Sequence, residues 1–254
     1  MAFDTTTAVI LVAIGVGVGT FGTIVGAGGG FILTPILLLL YPHDSPRTIT
    51  AISLAVVFFN AASGSVAYAR QRRIDYRSGV VFAIATLPGA VGGALLVGHV
   101  SRHLFAGIMG GVLAALAVWL LAGERWPLPQ PEHRLRLGFL YSLGVGFLSS
   151  FLGIGGGVIH VPLLVRALGF PMHVATATSH FVLAVMAGTG TITHIVLGSF
   201  HHAQGWRRTA ALSVGVVAGA QLGAHISLRL RGAVIQWLLA TALLALAARL
   251  LYSA

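Results

Sequence analysis

Polar positions in this chain are rare enough to act as punctuation between apolar runs, and the lengths of those runs are the first thing they report. Eight of them, Thr7–Val25, Pro46–Ala69, Ser78–Gly98, His103–Leu121, Leu135–Leu152, Pro171–Leu197, Thr209–Leu228 and Ala233–Leu251, approach or exceed the length of a spanning helix, which needs about 20 largely apolar residues. Two more, Phe31–Tyr41 and Val158–Leu168, are eleven residues each and too short to cross alone. The punctuation is uneven. Arg70-Gln71-Arg72-Arg73, with Asp75 and Arg77, is its most charged cluster, and Gly198–Arg208 reads as a loop. The stretch Gly123–Arg134, with three prolines and both glutamates, reads as a linker. It divides a first transmembrane repeat, residues 1–122, from a second, residues 135–254, with 123–134 between them.

Each short run follows a glycine triplet. Gly26-Ala27-Gly28-Gly29-Gly30-Phe31-Ile32-Leu33-Thr34-Pro35 returns 127 residues later as Gly153-Ile154-Gly155-Gly156-Gly157-Val158-Ile159-His160-Val161-Pro162. Thr50-Ala51-Ile52-Ser53 likewise returns as Thr176-Ala177-Thr178-Ser179, and Gly89, Gly93, His99 and Ser101 as Gly215, Gly219, His225 and Ser227, at a spacing of 126. Self-similarity over this length implies a duplication. Five segments per half is an odd number, so if all five count toward the crossing the second repeat is inverted; four crossings per half would make the repeats parallel. The predicted fold is an all-α integral membrane protein of two five-segment repeats, each with a glycine-broken short helix, and the inverted arrangement is the one expected.

Composition agrees with this reading and adds a charge bias. The 254 residues are 57 % hydrophobic and 8 % charged, with a mean hydropathy of +0.94, well outside the range of soluble domains. All 15 basic residues are arginine, against five acids. An N-outside topology puts Arg70, Arg72, Arg73, Arg77, Arg125, Arg134, Arg136, Arg166, Arg229 and Arg231 inside and Arg47, Arg102, Arg207, Arg208 and Arg249 outside, as the positive-inside rule favours. These arginines stand between apolar runs, where they suit anionic lipid rather than nucleic acid. The net charge of +10 favours approach of an anionic solute. Met1-Ala2-Phe3-Asp4 lacks the basic start of a secretory signal, so the first apolar run is expected to remain as a helix.

Glycines that break a helix inside a bilayer leave backbone groups that protein or a water-filled cavity must satisfy. Gly28, Gly29 and Gly30 precede one short helix and Gly155, Gly156 and Gly157 the other. A helix N-terminus offers free N–H groups and partial positive charge to an anion, and glycine lets the anion approach closely. Close helix packing is the competing use of such glycines. The following runs add Ser53, Asn60 and Ser63 in the first half and Ser179, His180 and Thr189 in the second. They are donors able to complete an oxyanion site, although a membrane hydroxyl often bonds back to its own helix. No Asp or Glu falls inside an apolar run, so proton coupling would fall to His160, His180 or His194. Cysteine is absent, which excludes thiolate metal sites and disulfides, and the pairs His99/His103 and His201-His202 lack further ligands. No metal and no cofactor is expected.

The two glycine motifs, each followed by a Thr-Ala-x-Ser element, resemble those of the sulfite exporter TauE/SafE family of membrane permeases, and the resemblance spans essentially the whole chain. It implies a bacterial or archaeal cytoplasmic-membrane carrier of small sulfur-containing anions such as sulfite, sulfoacetate or other organosulfonates. The partners expected are that anion and membrane lipid, with a homodimer left open. An anion channel and a histidine-dependent intramembrane enzyme are the alternatives.

Overall fold

A computed structural model describes residues 4–122, 131–200 and 203–253, with the side chains of 131–134, 203 and 253 left undescribed. Most of the expected linker, residues 123–130, and the pair His201-His202 lie outside the described residues, as does Arg125. Ten α-helices and no strand occur among the described residues: α1 (Thr5–Ile24), α2 (Gly30–Leu40), α3 (Pro46–Arg70), α4 (Tyr76–Leu96), α5 (Arg102–Leu121), α6 (Pro131–Leu152), α7 (Gly157–Arg166), α8 (Met172–Val196), α9 (Ala203–Ser227) and α10 (Gly232–Ser253). Eight are long and apolar enough to cross a membrane, while α2 and α7 are not.

Local chemistry sets many of these boundaries. Asp4 Oδ1 accepts from the Thr7 N–H at 2.8 Å at the start of α1, and Ser45, Asp75 and Ser101 cap α3, α4 and α5 in the same way. Pro35 and Pro162 do not stop the short helices, which continue through them. The loop expected over 198–208 is shorter than the polarity suggested, because α9 already begins at Ala203. Its polar first turns have local partners: Trp206 stacks on Phe200 with ring centroids 4.3 Å apart, and Arg208 pairs with Asp44 at 2.7 Å.

The tightest helix pairs join the two halves of the sequence. α1 packs along α9, where Gly15 and Gly19 meet the backbone of Leu212 and Val216, and Gly219 and Gly223 meet that of Val16 and Thr20. Contact numbers rise together, so these helices run parallel. α4 and α6 form the matching parallel pair through Gly89 against Leu143 and Gly93 against Phe147. Small residues permit such backbone approach between membrane helices. By contrast α3 and α8 run antiparallel, with Leu54 beside Gly190, Phe58 beside Gly188 and Gly64 beside His180. α5 and α10 are antiparallel as well, since Gly110 lies by Leu251 and the Leu120 carbonyl accepts from Gln236.

Both ends of the bundle are tied by arginine. At one end Arg73 donates to Ser227, and Arg166 donates to the Trp119 carbonyl at the end of α5. At the other end Arg102 donates to the carbonyls of Leu38, Tyr41 and Asp44, closing the C-terminus of α2. Cations placed there complement the negative end of a helix. Burial lowers the Arg73 pKa from its ordinary value, and burial raises that of Tyr41 even though the Arg208 guanidinium lies 3.6 Å above its ring. Between these ends large apolar side chains such as Val9, Leu140, Ile192, Val214 and Trp237 point outward, as a lipid-facing surface requires.

Candidate functional site

At Val25 the first helix gives way to a turn that only glycine supports well, with φ of 76° at Gly26, 73° at Gly28 and 78° at Gly29. The chain then reverses into α2. The second copy does the same at Gly153 and Gly155, with φ of 66° and 69°, before α7 begins. The two turns lie against each other. A Cβ on Gly157 would fall onto the Gly26 carbonyl and within 2.7 Å of Ala27 Cα; one on Gly30 would lie 2.7 Å from the carbonyl carbon and oxygen of Ile154. The helix starts therefore meet, backbone to backbone, and from there α2 leads toward the Asp44 end and α7 toward the Arg73 end.

Hydroxyls hold the crossing. Ser53 Oγ and Thr34 Oγ1 donate to the Gly153 carbonyl at 2.7 and 2.8 Å, and Ser179 Oγ donates to the Gly26 carbonyl at 3.2 Å. The N–H groups of Gly30, Phe31, Gly156 and Val158 have no acceptor among the described residues. Side chains pack up to the turns: Val57 against Gly28, Gly30 and Gly155, Leu183 against Gly28, and Met186 against Gly156. No charged side chain lies among these contacts.

Two polar clusters flank the crossing. In the first, Asn60 Oδ1 lies 3.3 Å from Thr23 Oγ1, which is 3.2 Å from His180 Nε2. Tyr68 donates to the Thr23 carbonyl at 2.7 Å and meets the His180 ring edge to face. Asn60 and His180 are fully buried, and Asn60 Nδ2 and His180 Nδ1 have no partner. An unpaired buried amide costs about 1–3 kcal/mol, so a ligand or water that satisfied it would gain that much. In the second cluster His160, also buried, lies 3.1 Å from Ser142 and edge-on to Phe82. Beside it and Gly156 is a cavity of about 10 Å³, room for about one water.

The other expected site residues lie elsewhere. Ser63 turns to α9, bonding the Val217 carbonyl and Gln221, and Thr189 bonds back to Val185 of its own helix. His194 is buried near the end of α8 with Ser199 as partner, away from both clusters. Sequence reasoning missed Thr23, Thr34, Tyr68 and Ser142, and also Ser149, whose buried, unpartnered hydroxyl lies beside Gly156. Thr23 stands three residues before Gly26 and Ser150 three before Gly153, and polarity at matching positions just ahead of a glycine turn was the available signal.

The family model described as "Sulfite exporter TauE/SafE" matches residues 11–250. The chain belongs to this family. It is accordingly a membrane transporter of the cell membrane with several spans, and not an enzyme. Among similar proteins, a probable membrane transporter protein, YunE, of Bacillus subtilis (strain 168) is 29 % identical over 270 residues, covering 96 % of this chain and 97 % of its own. A probable membrane transporter protein of Xylella fastidiosa (strain Temecula1) is 29 % identical over 229 residues, covering 87 % and 86 %. Another, from Methanocaldococcus jannaschii, is 28 % identical over 192 residues, covering 73 % and 72 %. No solved structure matches the TauE/SafE chain.

Proposed function

We propose that this TauE/SafE protein is a secondary transporter of a small sulfur-containing anion, sulfite or an organosulfonate such as sulfoacetate, held where the starts of α2 and α7 meet. The observation that carries the reading is the backbone contact of Gly157 with Gly26 and of Gly30 with Ile154. It brings two positive helix ends, with unpaired N–H groups, to one place inside the bundle. The buried, unpartnered Asn60 amide near that place is a neutral donor suited to an oxyanion. A site without arginine binds weakly enough to release its cargo.

The two halves are read as inverted copies. Equivalent helices α3 and α8 run antiparallel, and so do α5 and α10; a two-fold axis in the membrane plane requires this. Arg73, Arg166 and Ser227 then mark one membrane face, and Arg102, Arg208 and Asp44 the other. The positive-inside rule favours the first as cytoplasmic. Movement of one repeat against the other would open the crossing to each face in turn.

Counterflow of labelled sulfoacetate and of sulfite in proteoliposomes tests the proposal, with Asn60→Met as the variant. Methionine already occupies the equivalent position 186, and the exchange removes an unsatisfied buried amide, so folding should be kept while exchange falls about tenfold or more, the loss of one such hydrogen bond. Parental exchange rates in this variant for both anions would sink the site, and absence of saturable counterflow in the parent would sink the carrier.

A further inference from the structure

The hydrogens around the cavity at the start of α7 can be counted one by one. Thr86 Oγ1 donates to the Ala83 carbonyl at 2.7 Å, and Ser179 Oγ to the Gly26 carbonyl. Ser142 Oγ donates to the Gly138 carbonyl at 2.6 Å. A hydroxyl has one hydrogen. With that of Ser142 committed, the 3.1 Å contact to His160 Nε2 holds only if Nε2 carries the hydrogen and Ser142 accepts. In the neutral ring Nδ1 is then a bare lone pair, and this atom is buried and without a partner in a side chain only 2 % exposed.

Thr86, Ser179 and His160 line this cavity, and the atoms Thr86 Oγ1, Ser179 Oγ and His160 Nδ1 thus have lone pairs alone to offer. Hydrogens come from the free N–H groups of Gly156 and Val158 and from the unpartnered hydroxyl of Ser149 beside Gly156. The cavity holds about one water as it stands, so an anion reaches those N–H groups only when the repeats part, and there it meets the lone pair of Nδ1 unless a proton stands between them. The ring meets Phe82 from α4 and Ser142 from α6, and Thr86 from α4 and Ser179, Val182 and Met186 from α8 line the cavity with it. None of these is titratable or charged, so the proton has no other carrier at this place.

We infer that an anion binds at the start of α7 together with one proton held on Nδ1 of His160, which makes the protein an anion–proton symporter with His160 as the coupling group rather than His180 or His194. The inference rests on the proposed anion site. The Nδ1 lone pair forms an N–H bond with a proton from one aqueous face; on release to the other face the bond breaks and the electron pair stays on nitrogen. The imidazolium turns a repelling acceptor into a donor, so anion and proton favour each other's binding.

The full chain in proteoliposomes, with an enclosed pH dye and labelled sulfoacetate, tests this. Sulfoacetate is fully ionised near neutral pH and brings no proton of its own. The parent should acidify the lumen as label enters. His160→Asn keeps an amide close to where Nδ1 stood but does not titrate; whatever sulfoacetate exchange it carries out should move no protons and should not respond to a pH gradient. Proton movement surviving in His160→Asn overturns the inference, as does parental sulfoacetate transport without proton entry, which leaves the carrier reading standing. No sulfoacetate or sulfite exchange by the parent takes both readings down. A measurement independent of transport guards against a variant that fails to insert. In the spectrum of protein labelled with ¹⁵N-histidine, His160 should carry its hydrogen on Nε2 near neutral pH, and Ser142→Ala should give a mixture of tautomers. A hydrogen on Nδ1 in the neutral parent overturns the assignment.

Discussion

Gly157→Ala isolates the crossing of the two glycine turns from everything else in the bundle. Gly157 opens α7 outside the left-handed region, so alanine is tolerated by its own backbone, where it would gain up to about 1 kcal/mol of helix propensity. Its Cβ, however, would meet the Gly26 carbonyl and lie 2.7 Å from Ala27 Cα and 3.0 Å from Ala27 C, all main chain. Forcing a methyl into packed surroundings costs about 1–3 kcal/mol. Gly111 on α5 has nothing within 4 Å of a Cβ and serves as the control. The gap between the two variants should therefore be about 1–3 kcal/mol, which reduces the population of the crossed arrangement by roughly 5- to 150-fold. Thermal unfolding of detergent-purified protein and sulfoacetate counterflow read the two consequences. Gly157→Ala should unfold at a lower temperature than Gly111→Ala and exchange more slowly, with Gly30→Ala behaving alike through its contact with Ile154. Equal midpoints and equal rates for Gly157→Ala and Gly111→Ala would refute the argument that main-chain contact of the turns organises the site.

The hydroxyl clamps are unequal and should respond unequally. Ser53→Ala leaves Thr34 on the Gly153 carbonyl and should cost about 0.5–1.5 kcal/mol in chemical or thermal unfolding, whereas Ser179→Ala strips the hydroxyl donor from the Gly26 carbonyl and should cost about 1–3 kcal/mol; the reverse order would contradict the geometry. The chain has no cysteine, so single thiols report sidedness directly: Arg77→Cys should resist an impermeant maleimide in whole cells and His43→Cys should react. The opposite pattern would invert the proposed orientation.

The all-helical, many-span character could be read from run lengths alone, because the bilayer fixes how long an apolar stretch must be. The glycine turns were legible for a local reason: three glycines ahead of Phe31 or Val158 are costly in a helix and serve a turn well. What helical spacing does not reveal is which neighbour a polar face meets. Asn60 and Ser63 sit on one helix, yet Asn60 meets Thr23 while Ser63 turns to Gln221 on α9. That choice depends on α1 packing beside a helix some 200 residues away in sequence. Ser142 was hidden as the partner of His160 by the glycine turn, which folds α7 back on α6 and brings together residues only 18 apart. The start of α9 was misjudged because Gln204, Arg207 and Arg208 look like loop residues until Asp44 supplies a counter-charge for Arg208.

A crossing built from main chain has an evolutionary consequence. When two side chains clash, a smaller neighbour can restore the fit, and lineages wander through such compensated pairs. At Gly157 the obstacles are the Gly26 carbonyl and the Ala27 Cα and carbonyl carbon, which every amino acid possesses. Revertants of a Gly157 lesion should accordingly arise not at Gly26 or Ala27 but at remote positions that shift a whole helix, such as those where Gly22 meets Gly29 or Gly146 meets Thr86.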